Sequence, residues 1–428
     1  LILSTPDTIF ALSSGLPPAG IAVVRVSGPD ALTVLERMAG LRPSPRRASY
    51  RALRDNQGDV LDHALIFWFP GPATATGEDL VEFHLHGGRA VVAAVLAAIL
   101  SIEGTRIAQA GEFTRRAFEN GRIDLAEAEG LADLLAAETE SQRQSALALA
   151  EGGLGKRVAK WQSALLSLSA HLESELDFSD EDDVAIESVE VREQQIRHLT
   201  DDMRTMIDAP GVERLKDGVR VVLAGPPNSG KSSLFNCLID REGAIVSHLA
   251  GTTRDRIEAP VALDGVPLIL IDTAGLRASD DEIETIGVAR AEEAIATADL
   301  VLWLGKSQDA PDGAIDVAAK SDIGQEPARS GAISVSTLTG DGVAELKLEL
   351  LHRVRSLLPK PGALSLNQRH RAILAVVLDE LDAALCIIDP LIVAEHLRTA
   401  RSALDRLTGR AGVEDMLDAL FGTMCIGK

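Results

Sequence analysis

The run Gly225-Pro-Pro-Asn-Ser-Gly-Lys231-Ser232 has the spacing G-x-x-x-x-G-K-S, and the apolar stretch Val219-Arg-Val-Val-Leu-Ala224 leads straight into it. A buried strand, a glycine loop and a helix beginning near Ser233 would surround phosphate groups with backbone N–H donors and a helix N-terminus. Lys231 is expected to reach the β and γ phosphates and Ser232 to hold Mg2+, with Asn228, Ser229, Gly230 and Ser233 lining the same loop. Further on, Leu268-Ile-Leu-Ile-Asp272-Thr-Ala-Gly275 supplies a second strand ending in D-x-x-G. Asp272 suits the outer shell of the metal and the Gly275 N–H the γ-phosphate, with Thr273 and Ala274 between them. Together the two motifs specify a nucleoside triphosphatase.

Between them lies Gly251-Thr252-Thr253-Arg254-Asp255, where a switch loop should bring a Thr to the Mg2+; Thr253 is the candidate ligand. Ras-like enzymes orient the attacking water with a Gln after D-x-x-G, but Leu276 holds that place here, so catalysis needs another residue. Asn228 could offer its carbonyl oxygen to a monovalent cation beside the developing phosphate charge, and it suits equally well a turn position with an unusual backbone angle. On chemistry alone Asp280, Asp281, Glu282 and Glu284 are equal candidates to orient water. Guanine readers carry N/T-K-x-D after the next strand, and the best match is Ala319-Lys-Ser-Asp322. Asp322 can accept from the guanine N1 and exocyclic amine, and Lys320 can pack on the ring, while Ala319 lacks the amide that completes the reader. Ser334-Val-Ser336-Thr337 fits the last guanine-contact loop loosely.

These loops need a doubly wound α/β domain to hold them, and the alternation of strand, glycine loop and helix from Arg220 to about Leu358 provides it. Before it, residues 1 to about 120 mix β-rich runs such as Gly20–Val26 and Ala64–Phe69 with a helix over Arg89–Leu100, an α+β pattern. From Leu125 to about Arg214 the chain is rich in Ala, Leu and Glu, with apolar spacings of three and four that predict long helices. After Pro359-Lys-Pro361 helices return from Gln368 to Leu420, with Pro390 expected in the turn between two of them. One helical domain interrupted by an inserted α/β unit is the simplest reading.

Composition narrows the class. The 428 residues are too many for one ordinary domain, and 46% hydrophobic with 25% charged residues describe a globular protein. Cys237, Cys386 and Cys425 lie far apart without metal-ligand spacing, which suits a reducing cytoplasm. No apolar run predicts a membrane span. A net charge of −22 opposes binding a polyanion over the whole surface, so any RNA contact must be local or shared with a partner. Nine acids without a Lys or Arg between Leu172 and Val191 read as a solvated segment.

Around the phosphate motifs stand Thr76-Gly-Glu-Asp-Leu-Val-Glu82 with His86-Gly-Gly88, Gly111-Glu-Phe-Thr-Arg-Arg-Ala-Phe118 running into Leu125-Ala-Glu-Ala-Glu129, and the ending Cys425-Ile-Gly-Lys428. With this frame, the chain closely resembles the MnmE (TrmE) family of tRNA modification GTPases over essentially its whole length. The resemblance implies four segments: residues 1–120 as a tetrahydrofolate-binding and dimerisation domain, 121–215 as the first part of a helical domain, 216–358 as a Ras-like P-loop GTPase domain, and 359–428 as the second helical part. It implies a folate site lined by Arg25, Glu82, Arg122 and Lys428. That site would hold a 5-formyl or methylene derivative, with Cys425 beside it as a candidate modification-site residue. It singles out Glu284 as the water-orienting group, and it implies a K+ site from Asn228, Ser247, Leu249 and Thr252 within a nucleotide-contacting loop that includes His248, Ala250, Gly251 and Thr253.

It further implies a homodimer that joins a MnmG (GidA)-like flavoprotein in a heterotetramer, with FAD carried only by that partner. Together they would place an aminomethyl-type group at C5 of the wobble uridine of tRNA. The sequence departs from the pattern at Pro226, where Arg is usual, at Ala319, and in a short segment from Gly305 to Ala318. Two other classes compete: a ribosome-assembly switch of the Era or Der type, which would be expected to carry a basic RNA-binding appendage or a second G domain, and a folate-dependent transferase with a vestigial G domain.

Overall fold

The computed structural model describes residues 7–40, 42–177, 189–242, 258–273, 292–323, 331–410 and 414–427. They fall into two compact units, residues 1–132 with 405–428, and residues 133–404.

The first unit is built on a six-stranded sheet. Its elements are β1 (Thr8–Leu12), β2 (Ala19–Ser27), α1 (Ala31–Ala39), β3 (Ser49–Arg54), β4 (Val60–Phe69), β5 (Leu80–Gly87), α2 (Arg89–Leu100), β6 (Thr105–Ile107), α3 (Glu112–Glu119) and the start of α4 (Leu125–Ala136). Strand order is β3-β4-β5-β2-β1-β6, antiparallel except that β6 runs parallel to β1. Alternation sorts the faces. Ala22, Val24, Val26, Phe83, Leu85 and Ile66 enter a core with Val34 and Leu35 of α1 and Val92 and Val95 of α2. Arg25 and Glu82 therefore fall on the other face, where Phe113 of α3 packs with Ile9, Ala11 and Ala108.

The second unit holds α5 (Glu140–Ala150), α6 (Gly153–Asp177), α7 (Val189–Asp208), α8 (Glu213–Asp217), β7 (Val219–Ala224), α9 (Lys231–Glu242), β8 (Glu258–Leu263), β9 (Val266–Asp272), β10 (Leu300–Trp303), β11 (Ile315–Ala319), β12 (Ile333–Val335), α10 (Val343–Leu357), α11 (Gln368–Leu385) and most of α12 (Pro390–Leu407). Its sheet runs β12-β11-β10-β7-β9-β8, with only β8 antiparallel. From Val221 to Ala224 β7 is continuously apolar because both faces are covered: Val219, Val221 and Leu223 lie in one core and Val222 and Ala224 in another. Reciprocal capping boxes start α5 at Thr139 with Gln142 and α11 at Asn367 with His370. Pro390 is the first residue of α12 rather than part of the turn, because a residue with no N–H loses nothing in the first helical turn.

The end of the chain returns to the first unit. Leu417, Phe421 and Met424, on and just after α13 (Glu414–Gly422), pack with Leu125 and Ala128 of α4. Ile426 then bridges Ala110, and Gly111 N–H donates to the Cys425 carbonyl at 3.4 Å. Gly427 sits at φ +97° directly against the Leu12 carbonyl, where any side chain would collide with backbone.

Candidate functional site

The phosphate loop connects β7 to α9, as strand–loop–helix spacing demands. Lys231 opens the helix and is buried, and its Nζ donates to the carbonyls of Gly225 at 3.0 Å and Pro226 at 2.8 Å, so the ammonium is held over the loop. Asn228 stands at φ +59°, a left-handed position that Asn tolerates, and it is exposed. Its conformation is that of a turn residue. Gly230, at φ +101°, brings the loop so close to Ala319 that an added Cβ would lie 3.3 Å from the Ala319 Cβ. Ser229 Oγ is buried with no hydrogen-bond partner among the described residues. A buried hydroxyl beside a backbone loop and a poised ammonium fits a phosphate group, which would supply the missing acceptor. Ser232 and Ser233 lie on the exposed side of the first turn of α9.

Neighbouring strands bring the other loops to it. Asp272 ends β9 opposite Leu223 of β7 and is buried, and Thr273 Oγ1 donates to the Leu223 carbonyl at 2.8 Å, pinning the two strand ends together. Lys320 Nζ donates to the Asn228 carbonyl at 2.7 Å, tying the base-reading loop to the phosphate loop. Ser336 Oγ, fully buried, donates to Asp322 Oδ1 at 2.7 Å and fixes that carboxylate. Ser247, His248, Leu249, Ala250, Gly251, Thr252, Thr253, Ala274, Gly275, Glu284 and Lys428 lie outside the described residues.

On the sheet of the first unit, Arg25 and Glu82 are direct cross-strand partners of β2 and β5. Arg25 donates from Nε at 3.1 Å and Nη2 at 2.8 Å to Glu82 Oε1, while His84 Nε2 lies 3.3 Å from Oε2. The guanidinium stands 5.8 Å from the Phe113 ring centroid. Arg122 does not join this pair; its Nε donates to the Thr74 carbonyl at 3.2 Å, in the loop before β5. Cys425 is exposed, and Gly427 abuts Leu12, whose neighbour Ala11 faces Arg25 across β1 and β2. A half-buried Arg–Glu pair beside an aromatic ring can offer donors and acceptors to a flat polar group.

Two family models cover nearly the whole chain: the N-terminus of the GTP-binding protein TrmE matches residues 8–122, and the MnmE helical domain matches residues 125–425. The chain belongs to the MnmE family of tRNA modification GTPases. A protein from Erythrobacter litoralis (strain HTCC2594) named tRNA modification GTPase MnmE is 55% identical over 424 residues, covering 99% of this chain and 100% of that protein. Its namesake from Rhizorhabdus wittichii is 55% identical over 433 residues, covering 99% and 97%. A crystal structure of the G domain of the T. maritima FeoB transporter is 27% identical over 32% of this chain and 98% of that one, but its TM-score of 0.24 is too low to bear on fold or activity. Among the described residues no helix is long and apolar enough to cross a membrane.

Membership of the MnmE family accounts for the frame residues as a signature, and the structure gives several of them a physical task. Arg116 of α3 donates to Asp7 Oδ1 at 2.5 Å and to Glu78 and Glu112 at 3.1–3.2 Å, while Arg106 of β6 clamps Glu112 and Asp7. Burial pushes the Glu112 carboxyl up, but hydrogen bonds from Arg106 and the Gln109 N–H, with the charges of both arginines, hold it below the usual range. Burial also pushes the Asp7 carboxyl up, and hydrogen bonds from Arg106 and Arg116 with their charges hold it below its ordinary range. This network fixes α3, and with it the ring of Phe113 beside Arg25. Phe113 and His84 are the two site neighbours that motif reading missed. His84 could have been found two residues after Glu82 on the same strand face, whereas nothing local marks Phe113 as a partner of Arg25.

Proposed function

We propose that this chain hydrolyses GTP, with Mg2+ and K+, to drive modification of C5 of the tRNA wobble uridine together with a flavin-bearing partner protein. The observation that carries the GTP reading is the hydrogen bond of Lys320 to the phosphate loop, with Asp322 two residues on held by Ser336, which supports a guanine recogniser beside the phosphate cradle. Lys231 holds the β and γ phosphates, the backbone N–H groups after Gly225 surround them, and Asp322 accepts from the guanine edge. Glu284 orients the attacking water. Ser232 and Thr253 would hold Mg2+, and Asn228, Ser247, Leu249 and Thr252 would hold K+; bound there, the cations neutralise charge that develops on the phosphates.

A tetrahydrofolate derivative on the first unit is the proposed one-carbon donor, supported by the Arg25–Glu82 pair beside Phe113 and by the chain end that runs to Lys428. We propose the four-segment division at 120, 215 and 358, a cytoplasmic homodimer, and assembly with a MnmG-like flavoprotein. Mass spectrometry of tRNA nucleosides from a strain lacking the protein tests the reading: loss of the C5-modified wobble uridine is expected, and an unchanged nucleoside profile overturns it. GTP turnover compared in KCl and NaCl tests the cation. Asn228→Ala should abolish the K+ stimulation and keep the slow basal rate, whereas an undiminished response to K+ would reduce Asn228 to a turn residue.

A further inference from the structure

Within the thirteen residues from Arg42 to Arg54 there are five arginines, at 42, 46, 47, 51 and 54, and no acid. The rest of the chain carries 37 Lys and Arg against 64 Asp and Glu, so this is a basic island in an acidic protein. All five side chains are exposed, on edge strand β3 and the loop leading into it. Among the described residues only Arg42 has an acidic partner, Glu36 at a loose 3.7 Å. Arg46 and Arg54 donate to the backbone carbonyls of Ala73 and Gly58, Arg51 to Ser49 Oγ, and the Arg47 side chain has no hydrogen-bond or ion-pair partner among the described residues. Aromatic rings are interleaved with them: Arg42 lies 4.5 Å from the Trp68 ring, Arg46 lies 5.6 Å from that of Phe69, and Tyr50 is 67% exposed with His63 stacked at 6.0 Å.

We propose that this edge is a docking surface for RNA, with the arginines on phosphates and the Tyr50 ring open to a base. The inference rests on the tRNA reading above, and it places the contact on a local surface opposed to the net charge, one of the two arrangements that charge allows. Edge protection is the simpler role for charge on β3. It explains Arg51 and Arg54 but not the three arginines of the preceding loop. Arginine without carboxylate partners keeps its fork of donors available for phosphate oxygens, and an exposed aromatic ring offers a stacking face to any base.

The test is binding of unmodified tRNA to the full chain across a series of NaCl concentrations. Four or five phosphate contacts give a slope of log K against log salt of about −3 to −4. Arg47→Glu with Arg51→Glu should weaken binding at least about tenfold and flatten the slope by about 2, whereas the double Lys replacement should restore most of both. Tyr50→Ala should weaken binding with the slope unchanged. GTP turnover and dimer mass should not move in any of them. The Glu variants remain charged, so a surface that serves only to protect the edge predicts unaltered RNA affinity, which would overturn the proposal. It also falls if affinity drops only because the dimer dissociates, or if the Glu pair abolishes binding to phosphatidylserine vesicles while leaving tRNA binding intact. Should the parent hold no tRNA even at low salt, the surface fails, while the nucleoside profile still decides the functional reading.

Discussion

The phosphate loop and the Arg25–Glu82 site are assembled in opposite ways. The first is contiguous: strand, loop and helix run from Val219 to Glu242, and its donors are mainly backbone groups and one buried lysine. The second is gathered from β2, β5 and α3, with the segment around Cys425 and Gly427 closing in beside β1. A contiguous site depends on local conformation and tolerates change elsewhere. A gathered site depends on every contact that holds its pieces in register, so its weak points lie away from the ligand.

The sharpest test removes the one side chain that the contiguous site cannot replace. Lys231→Ala should lower GTP turnover by about 10²–10³-fold, as expected for loss of a charged donor to the transition state, and should leave binding of 5-formyltetrahydrofolate unchanged in calorimetry. Loss of both activities would show that the two sites are not separate. Arg25→Ala is the converse: folate affinity should fall by roughly 10- to 100-fold, the range for a charged hydrogen bond, at constant GTP turnover.

A smaller effect probes the remote supports of the gathered site. Glu112 and Asp7 have carboxyls held below their ordinary values, so their stabilising contribution is complete above the unfolded-state pKa of about 4 and is lost as pH falls through the folded-state values. Hydrogen-exchange protection of β1 and β6 should therefore collapse on acidification. Glu112→Gln should make that loss shallower, and should also weaken folate binding at neutral pH by releasing Phe113; equal acid sensitivity in parent and variant would remove the network from the account.

The smallest effect belongs to the base reader. Ala319→Asn should tighten GTP binding by about 0.5–1.5 kcal/mol if the restored amide makes one more buried hydrogen bond. Ala319 lies against the loop at Gly230, so crowding sets the limit on that gain. Equal affinities in calorimetry would mean that another group already does the work.

The same contrast explains what could be read without coordinates. Val219–Ala224, the loop and α9 are neighbours in sequence, so spacing alone carried their geometry. The contact of Lys320 with Asn228 needs the strand order that puts β11 beyond β10 from β7, which no local pattern encodes. Arg25 and Glu82 came from family resemblance, since a cross-strand pair far apart in sequence has no spacing signature. Arg122, taken from the same source, donates to the Thr74 carbonyl, a contact between its own turn and the loop before β5 that spacing does not encode either. Pro390, expected in the turn, opens the helix just after it, because proline marks a turn and a first helical turn equally well.

The return of the chain end to β1 also imposes an order in time. Residues 405–427 complete the unit that begins the chain, but the 272 residues from 133 to 404 must be translated between them. At roughly 5–20 residues per second that is a delay of about 14–54 s, during which Leu125 and Ala128 lack the apolar partners supplied by Leu417, Phe421 and Met424. Of the two units, the one whose strands leave the ribosome earlier is thus finished later, and a nascent chain should engage chaperones through residues 7–132 until residues 405–427 have been made.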